Sequence, residues 1–280
     1  MASGDRIRLI VHGDDFGFSA AVNRGIWRAH RDGLLTSASL LANGAALDEA
    51  CALAAGSALE LGVHLNLTTG RPLLPAARVP TLVTAEGFFP GKWRMVRRAL
   101  AGRLAPAELA AEIAAQLERI AGLGVRITHL DSHHHLHLLP PVAAAAAAAM
   151  RARGIGWVRR VRGPGEGGWN PAGAAGRLQQ AVLAACSRRC EAAWRPFASA
   201  ESFSGFAWYL SRDRRATLRR LVRALRPGLN EWMCHPADFI PAARAGSRDA
   251  HRQAECDWLC APEVRRLLTV AGIEPTTFEP

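Results

Sequence analysis

The stretch Arg6–Gly17 reads RIRLIVHGDDFG: a short, mainly apolar run from Ile7 to Val11, then a glycine and two adjacent carboxylates, Asp14 and Asp15. Such a run is a buried strand that delivers polar residues at its carboxyl end. The next segment, SAAVNRGIWRAHRDG (19–33), is a helix. Ser19 is its cap, Val22, Ile26 and Trp27 mark its apolar face, and Gly33 closes it. The alternation then continues outward. Strands are expected over 34–43, 59–68, 126–133, 156–163 and 230–236, and helices over 45–57, 105–124, 140–156, 176–194, 214–225 and 256–273. Strands that alternate with helices make parallel β/α units. Asp14/Asp15, His64/Asn66, Asp131/His133 and His235 all fall at the carboxyl ends of such strands, the edge on which β/α barrels carry their chemistry. The expectation is an α/β protein, a barrel of a single domain over residues 1–280. Two Gly/Pro-bearing stretches, near 69–93 and 162–172, read as inserted loops of the kind that form lids or binding surfaces.

Composition sets outer limits. The chain has 280 residues, 49% of them hydrophobic, enough for an ample core. Its net charge is +11, carried mostly by arginine. The basic residues are dispersed and only one tyrosine is present, so no specific nucleic-acid surface is expected. Such a charge does suit peripheral contact with an anionic membrane surface. No window reaches the ~20 apolar residues of a spanning helix, and the amino terminus lacks the pattern of a signal peptide, so a cytoplasmic protein is expected. Cys186/Cys190 and Cys256/Cys260 have helix-face spacing and no zinc-site pattern; they read as reduced thiols.

The chemistry centres on THLDSHHHLHLLPP (128–141), which holds five of the ten histidines. A catalytic divalent ion takes about three protein ligands and keeps one position open. His64, a histidine of the SHHH run, and one of Asp14 or Asp15 compose such a set, which suits zinc better than magnesium. Two neighbouring carboxylates repel, so a strand end that keeps both calls for a cation. One aspartate can then bind the ion while the other acts as a base toward water, which is hydrolytic chemistry. The leaving group needs an acid. His235 in EWMCHP is the first candidate and His137 the second, while Asp131 can orient a ligand histidine.

The motifs DDFGFSAAVNRGI, LTSASLLANG, GVHLNLTTGRPL, THLDSHHHLH and EWMCHP occur in the order seen in YdjC-like carbohydrate deacetylases, from about Ile7 to the MCHP segment. The chain resembles that family, which includes chitooligosaccharide and hopanoid-associated deacetylases. One departure is VHGDDFG, where the family more usually has NADDFG. The resemblance implies a distorted TIM-like (β/α) barrel that hydrolyses the N-acetyl group of an N-acetylated amino sugar, in an oligosaccharide or glycoconjugate. It implies one divalent ion, magnesium or zinc, on the positions matching Asp15, His64 and His133, with Asp14 as base; His235 stays the candidate acid from the residues themselves. Asn66, Thr68 and Arg159 are candidate substrate contacts, and homodimers are familiar among such enzymes. Two other readings compete: a metal-dependent phosphoesterase, favoured by two metals and more carboxylates, and a non-catalytic sugar- or lipid-surface-binding protein, which needs no base.

Overall fold

A computed structural model describes residues 6–162, 173–206, 213–238 and 248–279. Eight strands form one sheet: β1 (Ile7–Phe16), β2 (Ser37–Leu40), β3 (Glu60–Leu65), β4 (His129–Ser132), β5 (Trp157–Val158), β6 (Ser202–Ser204), β7 (Gly228–Cys234) and β8 (Ile273–Pro275). Seven of them follow the order β5-β4-β3-β2-β1-β7-β6, and every pairing is parallel. The sheet curls until its edges meet. Across that seam the Val158 amide donates to the Ala198 carbonyl (2.9 Å), Ala198 donates to Gly156 (2.9 Å) and Phe203 donates to Arg162 (3.1 Å). The result is a seven-stranded, distorted TIM-like barrel with a thin seam, in which β5 and β6 hold only two and three residues.

β8 has a different place. It pairs with Ile7–Leu9 at the foot of β1, while β2 pairs with His12–Phe16 higher up. The chain then carries Phe278 beneath the barrel, where it is 1% exposed and packs against His12, His129 and Trp157. Glu60 holds that tail by accepting from the amides of Phe278 (2.8 Å) and Glu279 (3.0 Å). The sequence reading did not anticipate this strand, because IEP is too short to carry a period. The single helix expected over 256–273 is instead two, Arg248–Leu259 and Pro262–Val270, divided where Pro262 starts a new first turn.

Local rules account for the remaining helices. Ser19 caps the helix Ala20–Arg31 by accepting from the Val22 amide, and Val22, Ile26 and Ala29 face the sheet. The helix Pro106–Ala121 buries Leu109, Ile113, Leu117 and Ile120, a stripe at helical spacing. The helix Pro140–Arg153 begins on proline and ends at left-handed Gly154. The 69–93 excursion is ordered, with a 3₁₀ turn at Ala76–Arg78, and it leads into the helix Lys92–Leu100. Most of the second insertion, 163–172, lies outside the described residues. Among the described residues, no helix is long and apolar enough to cross a membrane, and all six cysteines are free thiols.

Candidate active site

Period-two geometry builds the site from β1. Ile10, His12 and Asp14 share one face of the strand and point into the barrel in layers. Ile10 lies with Phe278 at the foot. His12 is bonded at its two ring nitrogens to Ser37 (3.2 Å) and Ser39 (3.1 Å) in the middle. Asp14 is at the top. Strict alternation would send Asp15 to the opposite face. The register between β1 and β2 slips between Gly13 and Phe16, however, and Asp15 takes a left-handed φ of 71°. That irregular turn keeps both carboxylates in one cavity, a strained conformation of the kind held in place at functional sites.

Asp15 gathers three partners. His133 Nδ1 donates to its Oδ1 (2.8 Å), His64 Nε2 lies 3.3 Å from the same oxygen, and Arg252 pairs with Oδ2. His64 is oriented from behind, its Nδ1 donating to Asp131 (2.8 Å) with the Ser39 hydroxyl at 3.0 Å. His133 stands where β4 gives way to a 3₁₀ turn, and His134 and His135 are left-handed there (φ 60° and 57°). One ligand atom each from Asp15, His64 and His133 falls within 4.8 Å of the others. With Nδ1 of His64 tied to a carboxylate, its Nε2 is left to face the site, the arrangement metal-ligating histidines use. The donor set therefore fits a divalent ion of the zinc type.

A second group, His12, Asp14 and Asp131, is equally close. There the positive charge is already supplied by protein. Arg159 is 1% exposed; it donates to both oxygens of Asp14 (2.9 and 2.7 Å) and to Glu231 (2.6 Å), and it forms an ion pair with Asp131 Oδ2 at 2.6 Å. A buried guanidinium that forks onto Asp14 fixes its carboxylate plane and neutralises its neighbours.

These charges govern protonation. Burial works to lower His64, but Asp131 and Asp14 outweigh it and push it up to about 10. Burial works to raise Asp15, yet Arg252 and His133 hold it well below the usual carboxylate range. His235 lines the same cavity, its Nε2 3.8 Å from Asp14 Oδ2; burial, its largest influence, lowers it to about 4 against the pull of Asp14. Burial likewise raises Glu231 to about 7 despite Arg159.

Asp14, Asp15, His64, His133 and His235 thus line one cavity of about 320 Å³, together with Lys92, Arg252, Phe206 and Met233. Asp131 and Arg159 lie buried beneath it. The remaining sequence candidates do not reach it. His137 is fully buried, bonded to Ser132 Oγ (2.6 Å) and to the Arg159 carbonyl (3.0 Å), so it braces the 3₁₀ turn. Asn66 clamps its own loop, accepting from the amides of Thr68 and Thr69 and donating to Asn43 and Thr69. Thr68 is buried and meets His134 (2.9 Å). Arg159 holds Asp14 from inside the barrel instead of lining the cavity. Glu231 and Arg252 were missed. Glu231 had a signal, since it alternates with Met233 along β7 and with His235 just past the strand's end. Arg252 had none, being one basic residue among 35.

Residues 8–270 match the model of the family described as YdjC-like protein. The chain belongs to the YdjC-like family. It is 33% identical over 296 residues to a carbohydrate deacetylase of Mus musculus, covering 96% of this chain and 93% of that one. It is 32% identical over 276 residues to a chitooligosaccharide deacetylase of Serratia marcescens, covering 97% and 98%. A crystal structure from Enterococcus faecalis V583, titled a cellobiose-phosphate cleavage protein, superposes with a TM-score of 0.73 over 98% of both chains at 24% identity, which speaks to the fold alone. In this YdjC-like chain His12, just before the two aspartates, bridges β1 to β2 through Ser37 and Ser39.

Proposed function

We propose that this YdjC-like protein is a metal-dependent N-deacetylase of N-acetylated amino sugars, acting on an oligosaccharide or glycoconjugate. The observation that carries the reading is the pairing of two aspartates in one cavity with different partners. Asp15 faces two histidines as a ligand set, and Asp14 faces an arginine that leaves it outside that set. The relatives named carbohydrate and chitooligosaccharide deacetylase support the choice of bond and substrate class.

In this reading Asp15, His64 and His133 hold the ion. A divalent ion there supplies Lewis-acid polarisation and acidifies water. Asp14, oriented by Arg159, takes a proton from the water that attacks the acetyl carbonyl. The amide C–N bond breaks and the sugar nitrogen needs a proton. His235 is neutral at rest because burial lowers it, so its proton comes by way of Asp14, 3.8 Å away. It then protonates the departing amine, giving acetate and the free amino sugar.

A phosphoesterase with two metals is disfavoured, because among the described residues the second cluster, His12, Asp14 and Asp131, already has Arg159 as its cation. The test is acetate release from N-acetylglucosamine oligosaccharides by metal-loaded protein, with chelated protein and Asp14→Asn as controls. Acetate that depends on both metal and Asp14 supports the reading. Metal-loaded protein that releases acetate from none of these sugars, nor from lipid-linked ones, overturns it.

A further inference from the structure

The cavity has a third wall that the reaction above does not use. His135 lines it with Phe206 and Met233. Its ring meets Phe206 edge-on at 5.3 Å and Phe203 at 5.9 Å, and the two phenylalanines meet each other at 5.4 Å. Nδ1 of His135 is buried and has no hydrogen-bond partner among the described residues. The backbone pays for this placement, since His134 and His135 are both left-handed and that conformation is uncommon in residues other than glycine. Buried polar nitrogens are nearly always bonded, and an orphan calls for a missing partner. The neighbouring histidines have theirs: His134 has Thr68, and His137 has Ser132 and the Arg159 carbonyl.

A pyranose ring presents an apolar C–H face and a rim of hydroxyls. A site for it needs an aromatic surface with a hydrogen-bonding edge beside it, which is what Phe206 and His135 form. Met233 lies near the end of β7, two positions before His235, and both line the cavity, so this wall adjoins the place where the sugar nitrogen departs. We infer that His135 is a specificity-determining residue that hydrogen-bonds a hydroxyl of the sugar carrying the acetamide, with the ring seated against Phe206. This rests on the amino-sugar reading above. It assigns the imidazole neither a metal nor a proton-transfer role. A site built to bond a hydroxyl discriminates strongly, because an analogue that lacks it leaves the buried nitrogen unpaired.

The test is calorimetric binding of the N-acetylglucosamine disaccharide to metal-loaded Asp14→Asn protein, alone and combined with His135→Phe or His135→Gln. Metal stoichiometry is measured on each sample to report the integrity of the ligand set. The expected result is at least a tenfold weaker Kd for His135→Phe, recovered in part by His135→Gln, which keeps a donor and an acceptor, at unchanged metal content. An unchanged Kd in His135→Phe overturns the assignment, and so does an equal loss in both variants, since that reports lost packing. If the parent Asp14→Asn protein binds no N-acetylated sugar and wild type releases no acetate, the amino-sugar reading itself fails.

Discussion

At the scale of single residues, the proposed reading gives Asp15 and the two histidines an ion to hold and Asp14 a proton to move. Asp14→Asn removes the base and leaves Asp15, His64 and His133 in place. Its kcat should fall by about 10²–10⁴-fold with metal content unchanged, checked by acetate release beside elemental analysis. His64→Ala should instead lose the metal. Because His64 sits at about 10 in the metal-free protein, an ion must displace its proton. Affinity should therefore climb by about tenfold per pH unit between about 7 and 10, with one proton released, read from titrations in buffers of different ionisation enthalpy. Arg159→Met is the severe case. It leaves Asp131 and Glu231 buried without their counter-charge, and removing one partner of such a set costs about 3–5 kcal/mol. Chemical denaturation of the metal-free variant would show this directly.

At the scale of elements, the approach of helix to sheet matters more than any single contact. A Cβ at Gly25 would lie 2.3 Å from Cα of Ala237, so the helix Ala20–Arg31 packs against the chain just beyond His235 with no room for a methyl group. Gly25→Ala should gain helix propensity and still lose about 1–3 kcal/mol through overpacking. Activity should fall with it, because Ala237 and His235 must shift together. Thermal unfolding and kcat measured on the same sample check both parts, and a stabilised variant would contradict the packing argument. Legibility also divides at this scale. Long elements such as Pro106–Ala121 could be read from their period, whereas β6, at three residues, has too few positions to display one.

At the scale of the whole molecule, the barrel interior is polar above its foot, and its titration sets the response to pH. Burial lowers His12 and His137 to about 4, and it lowers His129 and His135 well below the ordinary histidine value; His235 follows at about 4. Each of these is neutral when folded and gains a proton more readily when unfolded. Their contribution to stability is complete above about 6.5 and is lost as pH falls toward 4. Glu231 and Glu255, both raised to about 7 chiefly by burial, act oppositely: their contribution is present below about 4.5 and fades as pH rises through 7. Five histidines outweigh two glutamates, so the metal-free protein should lose stability on acidification. His64 adds a gentle decline from about 6.5 toward 10. The maximum should therefore lie near pH 6.5, and metal should flatten the alkaline limb, because ligated His64 has already lost its proton. Unfolding midpoints across pH 4–9, with and without zinc, decide the point.

The sequence by itself determined the strand-then-polar-cluster pattern, and with it the parallel barrel, the edge on which the site lies, and the five side chains Asp14, Asp15, His64, His133 and His235 that line the cavity. Those features are local: a run of apolar residues, the period of a strand, a motif within a dozen positions. Only the tertiary structure decided what surrounds them. Whether Asp15 shares the cavity with Asp14 depends on a register slip against β2 that DDFG alone does not encode. That Arg159 serves Asp14, Asp131 and Glu231 follows from strands 145, 28 and 72 positions apart in sequence meeting inside the barrel. His137 and Asn66 had the right residue types in the right motifs, yet their polar atoms are consumed by neighbouring backbone and side chains. A side chain's chemistry is written in its identity, but its availability depends on what long-range packing places against it.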